Sequence, residues 1–556
     1  MRHPLYAALA ITVLCSVSFA QQKDQKTTTP AKKPAASPAE KTQTPTPVVP
    51  EAPAAPQPKP AQPEQAQRPA ESRSGEQGGG ANWHFDMAEA PPVVTHHEVK
   101  MADGKVLRYT ATAGRLPIKE LDGSIAAEMF FVAYTLDNQD ASKRPVTFAF
   151  NGGPGSASMW LHMGALGPRK VVLAPDGFLP APPYRLEDNA YTPLDKSDMV
   201  LVDAIGTGYS RPADPSKGKK FWGLKGDIEA FSEFIRMYIS RYERWSSPLY
   251  LFGESYGTTR SAGIAGYLAD RGINFNGIVL LSTVLNFETL DFAMTNDVPY
   301  PLIVPSYTMI AAYHKRLAPE LMQDLPKTRA EVEHWAATDY TYALGKGDAL
   351  TPQERQTVIS QLARYTGLKP ELIDQANLRI DVRQFTHNLL ADQKLRVGRL
   401  DGRYSGPDPR GFLDTPFYDP TSANTAPPYT AAVNDYIRRE LNYKTDMPYN
   451  TSARDMPGFN WEYPNGEGSP ETSTPLRAAM VKDKWLKVLV MEGYYDLATP
   501  YFAATYTMDH MNLPADFRKN ISYATYESGH MVYLREQGLL KMKKDFADFV
   551  DATLVR

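Results

Sequence analysis

Four short apolar segments constrain the fold of this chain more than any other feature of its sequence. Each is bounded by Gly, Pro, Asp or Ser and lacks polar alternation, as expected of strands buried on both faces. The segments are Val146–Phe150, Met199–Val202, Leu249–Phe252 and Ile278–Leu281. Between the second and third, Ile228, Phe231, Ile235, Tyr238 and Tyr242 recur at helical spacing. This alternation predicts an α/β fold with a mostly parallel central sheet flanked by helices.

The remaining strand signals place a large insertion within this sheet. Residues 106–113 and 125–136 are rich in β-branched and aromatic residues, which predicts antiparallel strands. The buried-strand pattern then disappears over residues 296–445 and returns at Val488–Val490 and Ile521–Ala524. Within the interval, Thr351-Pro352-Gln353-Glu354 forms a capping box that starts a helix. We therefore predict a core formed by residues 83–295 and 446–556, interrupted by a mainly helical cap at 296–445.

The N-terminal region resembles a leader followed by a spacer. Residues 1–20 have a basic start, an apolar run and small residues near Ala20, which predicts a signal peptide and a periplasmic or extracellular location. Residues 21–82 contain twelve prolines and no aromatic residue, so they cannot bury enough surface to fold and are expected to form a disordered spacer. The only cysteine is Cys15, inside the leader, so the mature chain is expected to contain no disulfide.

Composition excludes few classes of function. The 556 residues carry a net charge of −3, which gives no reason to expect a nucleic-acid partner. The leader is too short to span a bilayer comfortably, so no stable membrane insertion is expected after its removal. No pattern of metal ligands or cofactor motif stands out, and we predict no metal and no cofactor. The sequence does not indicate an oligomeric state.

The strongest motif is Gly253-Glu254-Ser255-Tyr256-Gly257, which matches G-x-S-x-G directly after a predicted buried strand. A helix rich in small residues, Thr258 to Leu268, follows. This strand–turn–helix setting resembles the nucleophile turn of α/β-hydrolases, in which glycines are needed because bulk beside the strained serine would clash. Ser255 is the predicted nucleophile.

In α/β-hydrolases the acid and the histidine follow the serine in that order. His530 comes after the predicted strand Ile521–Ala524, and Asp496 comes after the strand before it. His510 lies in a helical stretch, and the competing acids Asp509 and Asp516 follow no buried strand. We therefore predict a triad in which His530 accepts the serine proton and Asp496 orients the imidazole.

The tetrahedral oxyanion of such a reaction needs backbone donors. One is expected to be the amide of Tyr256. A second is expected in the run Asn151-Gly152-Gly153-Pro154-Gly155-Ser156, which follows the strand Val146–Phe150. A simple tight turn is the alternative for this run, whereas a phosphate loop is disfavoured because no Gly-Lys-Ser/Thr follows.

Together these segments resemble the serine carboxypeptidase family. The matches are Asn151–Ser156, Ile205–Ser210, Gly253–Gly257, Asp496 and Gly529-His530-Met531-Val532. The resemblance implies an α/β-hydrolase fold, Gly153 and Tyr256 as oxyanion donors, and peptides with a free C-terminus as substrates. It also implies that Asn151, Gly152 and Glu254 bind the substrate carboxylate, to which Glu254 can donate only when protonated.

The chain departs from the family pattern at four positions. Ala165 replaces a glutamate that normally shares a proton with the one matching Glu254, so Glu254 is expected to ionise at lower pH than in a paired arrangement unless another group replaces the partner. Ala149 replaces a tryptophan, Ser156 a disulfide cysteine and Tyr494 an aspartate. The favoured hypothesis is a serine carboxypeptidase. An esterase or acyltransferase using the same triad is the alternative, and an inactive secreted binding protein is a third hypothesis.

Overall fold

The computed structural model describes residues 89–411, 413, 415–462 and 469–554. The predicted signal peptide and spacer lie outside these residues. The described strands are β1 (Val93–Lys100), β2 (Val106–Lys119), β3 (Ile125–Leu136), β4 (Val146–Phe150), β5 (Arg169–Val171), β6 (Leu186–Asp188), β7 (Asp198–Val202), β8 (Arg211–Pro212), β9 (Leu249–Glu254), β10 (Gly277–Leu281), β11 (Leu395–Val397), β12 (Ser405–Pro407), β13 (Lys487–Gly493) and β14 (Ile521–Tyr526).

Ten of these strands form one sheet, with the order β1-β2-β3-β7-β4-β9-β10-β13-β14 and β8 paired with β3. The strands from β7 to β14 in this order are parallel to their neighbours, whereas β1, β2 and β3 form an antiparallel edge. All predicted strands are confirmed, several with one to six further residues. Strand β1 was not predicted, because the polar run Thr-His-His-Glu in its sequence Val-Val-Thr-His-His-Glu-Val-Lys interrupts any apolar pattern, although its Val and Thr residues favour a strand.

The described α-helices are α1 (Met159–Leu161), α2 (Leu224–Arg241), α3 (Tyr256–Ala269), α4 (Pro299–Tyr313), α5 (Pro319–Met322), α6 (Leu325–Trp335), α7 (Thr341–Lys346), α8 (Pro352–Thr366), α9 (Pro370–Gln375), α10 (Val382–Asn388), α11 (Pro420–Arg439), α12 (Ser473–Lys482), α13 (Tyr501–Asp509), α14 (Ala515–Arg518) and α15 (Glu536–Leu554). The helical pattern around Phe231 is confirmed as α2, and the predicted capping box starts α8, where the Thr351 hydroxyl accepts from the Glu354 amide at 3.3 Å.

Helices cover both faces of the sheet, because successive side chains of its central strands point to opposite sides. Tyr250 and Phe252 of β9 pack in one apolar cluster with α15, whereas Leu251 packs in the opposite cluster with α2, α3 and α12. Every residue of β9 is buried. The sheet therefore has two apolar cores, which explains why its strands show no polar alternation in the sequence.

Between residues 296 and 445 the described part of the chain forms the helices α4 to α11 and two short strands, β11 and β12. This segment has its own apolar cluster, which includes Tyr307 and Phe385 and extends to Leu497 and Tyr501 just after β13. The helical interval thus packs against the loop that follows β13. None of the helices in the described residues is both long and apolar enough to cross a bilayer.

Candidate active site

Ser255 lies in a strained turn between β9 and α3. Its φ is +62° and its ψ is −132°, a conformation that residues with a side chain rarely adopt. A Cβ at Gly253 would overlap the backbone of Gly257, and a Cβ at Gly257 would lie 2.7 Å from the Phe150 carbonyl oxygen. The two glycines therefore allow the turn, which carries the Ser255 side chain into a cavity rather than into the core.

His530 and Asp496 follow the neighbouring strands β14 and β13, so the parallel sheet brings them to the same edge as Ser255. The Nδ1 of His530 donates to Oδ2 of Asp496 at 2.7 Å, and both side chains are buried. Burial opposes the charged imidazole, but the adjacent Asp496 carboxylate outweighs it and raises the pKa of His530 above its ordinary value. With Nδ1 engaged, Nε2 remains to act on a nucleophile.

Asp496 is held in place by three further donors. Its Oδ1 accepts from the amides of Ala498 and Thr499 at 2.7 and 3.1 Å, and its Oδ2 accepts from the Thr499 hydroxyl at 2.6 Å. The same hydroxyl lies 3.1 Å from Nδ1 of His530. Because each of these groups donates to the side chain of Asp496, its two oxygens are held in place as acceptors beside the imidazole.

The backbone of His530 is also fixed from two sides. Its amide donates to the Leu400 carbonyl at 2.7 Å, and its carbonyl accepts from the Ser282 hydroxyl at 2.6 Å. Gly529 has no room for a side chain, since a Cβ there would lie 2.5 Å from the Leu400 oxygen. The helical interval therefore contributes directly to the placement of the imidazole.

A cavity of about 260 Å³ opens beside this pair. It is lined by seven of the eight residues that the sequence singled out, Asn151, Gly152, Gly153, Glu254, Ser255, Tyr256 and His530. The eighth, Asp496, is fully buried and reaches the cavity only through His530. The structure thus brings all eight residues to one place.

The glycine loop after β4 lies against the start of α3. A Cβ on Gly152 would overlap the amide nitrogen of Tyr256, so only glycine allows this approach. Gly153 has a φ of +110°, which also favours glycine. Because the first amides of a helix have no partner within the helix, the Tyr256 amide is suited to bind an anionic oxygen at this position.

Glu254 is a buried acid directly before Ser255. Burial raises its pKa to about 7, and the nearby His530 charge and the Tyr533 phenol limit the rise. Tyr533 donates to Oε2 of Glu254 at 2.7 Å, and the Asn151 side chain also hydrogen-bonds the carboxyl group. A protonated carboxyl group thus persists below about pH 7, although Ala165, buried in the π-helical turn His162–Leu166, supplies no second acid.

Sequence reasoning missed three residues that support this site. Thr499 bridges the acid and the histidine, and Tyr533 contacts Glu254. Arg260 is fully buried in an ion pair with Asp227 at 2.7 Å and donates to the Asn151 carbonyl at 2.8 Å, which holds the glycine loop. Thr499 and Tyr533 lie three positions after the predicted triad residues Asp496 and His530, and this proximity was visible in the sequence. Nothing local marks Arg260, because its partners are distant along the chain.

No group of three or more His, Cys, Asp or Glu side chains that could hold a metal ion occurs among the described residues. The chemistry that the arrangement itself offers is nucleophilic. A serine, a histidine polarised by a buried acid and a helix N-terminus are the elements of acyl transfer.

Comparisons with known proteins indicate the family of this chain. The family model described as serine carboxypeptidase matches residues 107–543. The chain is 30% identical over 163 residues to a carboxypeptidase Y homolog of Arthroderma benhamiae, covering 28% of this chain and 29% of that protein. It is 24% identical over 230 residues to serine carboxypeptidase-like 36 of Arabidopsis thaliana, covering 39% of this chain and 45% of that protein. The alignments thus span less than half the length of these relatives.

Solved structures with a similar fold include a soluble variant of monoglyceride lipase from Saccharomyces cerevisiae in complex with a substrate analog. It is 11% identical, with a TM-score of 0.34, and the match covers 79% of this chain and 97% of that chain. The mostly parallel sheet, flanked by helices and carrying the serine turn, is an α/β-hydrolase fold. Because the family model covers most of the described residues, the chain belongs to the serine carboxypeptidase family.

Proposed function

We propose that the protein is a serine carboxypeptidase that removes single residues from peptide C-termini through an acyl-enzyme on Ser255. The observation that carries this proposal is the bond of 2.7 Å between His530 and Asp496 beside a cavity that also exposes Ser255 and the buried Glu254. Ser255, His530 and Asp496 suit acyl transfer. A protonated acid next to the nucleophile suits recognition of a carboxylate.

In the proposed first step, Oγ of Ser255 attacks the scissile carbonyl carbon while Nε2 of His530 accepts the hydroxyl proton. Asp496 stabilises the imidazolium that forms. The oxyanion accepts hydrogen bonds from the amides of Gly153 and Tyr256. When the carbon–nitrogen bond breaks, His530 transfers its proton to the leaving amine, and the C-terminal residue departs. The acyl group remains as an ester on Ser255.

In the second half, a water molecule attacks the ester carbonyl while His530 accepts one of its protons. The tetrahedral intermediate collapses, and His530 returns the proton to Oγ of Ser255. The shortened peptide leaves with a new C-terminal carboxylate. The proton of His530 thus passes from serine to amine and from water to serine, which restores the enzyme.

Recognition of the substrate C-terminus is assigned to Asn151, Gly152 and Glu254. A protonated Glu254 can donate a hydrogen bond to the substrate carboxylate, whereas an ionised Glu254 would repel it. The pKa of Glu254, which burial raises to about 7, supports binding at acidic to neutral pH. Because Tyr533 donates to Oε2 of this group, we assign the carboxyl proton to Oε1.

The proposal is tested with one blocked dipeptide, its C-terminal amide and a simple ester. We expect a fluorophosphonate probe to label the wild type but not Ser255→Ala, and the peptide to be cleaved much faster than its amide. If the probe labels the protein but the peptide and its amide are cleaved at equal rates, carboxylate recognition is contradicted. Hydrolysis of the ester alone would favour the esterase alternative. Absence of labelling and of all hydrolysis would favour a binding protein. Export through the predicted leader is a separate proposal, tested by the N-terminus of the mature protein.

A further inference from the structure

The active-site cavity has one cationic side chain on its wall that the proposed mechanism does not use. Arg399 lies in the helical interval, just after β11, and lines the cavity together with Leu400. Its side chain is exposed, and no ion pair joins it to a carboxylate in the part of the chain that the structure describes. An exposed arginine is usually only solvated. This arginine, however, lies beside the reacting groups.

The main chain of Arg399 is bound directly to the catalytic loops. The amide of Leu497, the residue after Asp496, donates to the Arg399 carbonyl at 3.0 Å. The amide of His530 donates to the next carbonyl, that of Leu400, at 2.7 Å. Two consecutive carbonyls thus accept from the loops that carry the acid and the base. The backbone of Arg399 is therefore held at a fixed position relative to Asp496 and His530.

Asp419, whose carboxylate binds the main chain of Arg399, already uses both of its oxygens as acceptors. Asp419 caps α11, with its Oδ1 accepting from the Ser422 amide at 3.0 Å, and its Oδ2 accepts from the Arg399 amide at 2.6 Å. Both oxygens thus bind backbone donors, and Asp419 does not neutralise the guanidinium at ion-pair distance. Asp401, two residues further, pairs with Arg403 at 2.6 Å. The charge of Arg399 is therefore left for a ligand.

The charge of the cavity wall depends on few groups. Besides Arg399, its ionisable side chains are Glu254, His530 and Tyr256. Glu254 is neutral below about pH 7 because burial raises its pKa, and a tyrosine is neutral at such pH. His530 is neutral when it acts as a base. When His530 is neutral and ready to accept the serine proton, Arg399 is therefore the charged side chain on the described cavity wall.

We propose that Arg399 selects peptides with an acidic side chain on one of the two residues that flank the scissile bond. This inference rests on the proposed carboxypeptidase function. Asp and Glu side chains are ionised above about pH 5, so they can pair with the guanidinium in the range in which Glu254 still holds its proton. Trp160, Phe287 and Met531 also line the wall, but as uncharged, largely apolar side chains they do not attract Glu over its neutral counterpart Gln.

The test uses two pairs of blocked dipeptides at pH 6 and low ionic strength. One pair has Glu or Gln as the penultimate residue, and the other has Glu or Gln at the C-terminus. For one of the pairs we expect kcat/KM to be about three- to fivefold higher with Glu, the range of a solvent-accessible charge pair, and to fall toward parity as salt is added. The ratio within a pair cancels any effect of Arg399 on the His530 base.

Variants of the full chain decide whether Arg399 is the cause. Arg399→Gln should bring the Glu/Gln ratio close to one, Arg399→Lys should retain part of it, and Arg399→Glu should reverse it and favour Lys over Gln. Arg439→Gln removes the same charge from an exposed position on α11 and should leave the ratio unchanged.

Equal rates with Glu and Gln at both positions in the wild type would overturn this inference alone, as would an unchanged ratio in Arg399→Gln. Cleavage of none of the four peptides would overturn the proposed function and this inference with it. The two failures are therefore distinguishable in a single set of rates.

Discussion

The phenol of Tyr533 donates a hydrogen bond of 2.7 Å to Oε2 of Glu254, the residue before Ser255, and both side chains are buried. The Tyr533 ring also fills the space above Gly164, where an added Cβ would overlap it. Gly164 precedes Ala165, the position at which the family resemblance leads one to expect a second acid. Tyr533 therefore supplies the partner of Glu254 that Ala165 lacks. Unlike a shared proton between two acids, a phenol donates without itself ionising near neutral pH.

This relationship predicts the direction in which Tyr533→Phe changes the pH dependence. The phenol stabilises the ionised form of Glu254 and so lowers its pKa, whereas burial raises it to about 7. Without the donor, Glu254 should keep its proton to higher pH. KM for a peptide with a free carboxylate should therefore begin to rise at higher pH than in the wild type, while kcat changes little. A pH series of KM measures the shift.

Two controls separate this effect from general damage to the fold. The C-terminal amide should show no such rise of KM in either protein, because it presents no carboxylate. Tyr436→Phe removes another buried phenol, which bonds to Tyr134 and not to Glu254, and should leave the profile unchanged. Superimposable KM profiles for wild type and Tyr533→Phe would contradict the role given to Tyr533.

Thr499 provides a second prediction, because its hydroxyl donates to Asp496 at 2.6 Å and lies 3.1 Å from Nδ1 of His530. Thr499→Val keeps the shape of the side chain and removes the hydroxyl that donates to the Asp496 carboxylate. We expect kcat/KM to fall about tenfold, or ~1.4 kcal/mol, at the lower end of the value of such bonds. Thr499→Ser retains the hydroxyl and should lose much less. Equal losses in the two variants would contradict a specific role of the hydroxyl, since loss of the methyl group would then matter as much.

The proposed triad predicts strongly non-additive losses. Ser255→Ala and His530→Ala should each lower kcat by several orders of magnitude, because either change removes the same acyl-transfer route. The double variant should be little worse than either single one. Rates of a blocked dipeptide in the three variants measure this, with circular dichroism to confirm that each is folded. Losses that multiply would mean that the two residues act independently, and near-wild-type activity of Ser255→Ala would reject it as nucleophile.

The sequence was sufficient to predict the sheet and the residues that gather at one cavity because both depend on local patterns. Buried strands of parallel sheets are continuous apolar runs, and the serine turn requires glycines at fixed spacing. Asp496 and His530 could be chosen because each follows a strand end. The edge strand β1 has no continuous apolar run, since half-buried and exposed residues alternate along it and its centre is polar.

Contacts between distant segments could not be predicted in this way. Arg260 holds the Asn151 loop across 109 positions, and Tyr533 reaches Glu254 across 279 positions. The expectation that Glu254 would ionise earlier without a paired acid considered only the missing charge at Ala165. In the fold, desolvation alone raises the pKa, and this contribution depends on packing around the whole side chain.

Glu492 in β13 is a second buried acid, and it lies near Asp496. Its Oε1 accepts from the Thr283 amide at 3.0 Å, while Oε2 has no hydrogen-bond partner among the described residues. Burial raises its pKa well above the ordinary value, the Thr283 bonds lower it, and the Asp496 charge raises it further. The folded protein therefore holds a proton that the unfolded chain releases above about pH 4.5, and stability is lost as pH rises above that value.

Glu492→Gln removes this titration and retains the Oε1 acceptor. Its melting temperature should exceed that of the wild type by a few degrees at pH 8, and by less at pH 5, where ionisation of this acid stabilises the unfolded wild-type chain much less. Glu371→Gln, at an exposed position on α9, removes the same charge and should show no comparable pH dependence. Thermal melts of the three proteins at both pH values provide the test. A difference between Glu492→Gln and wild type that is equal at pH 5 and pH 8 would mean that Glu492 does not hold its proton in the folded state.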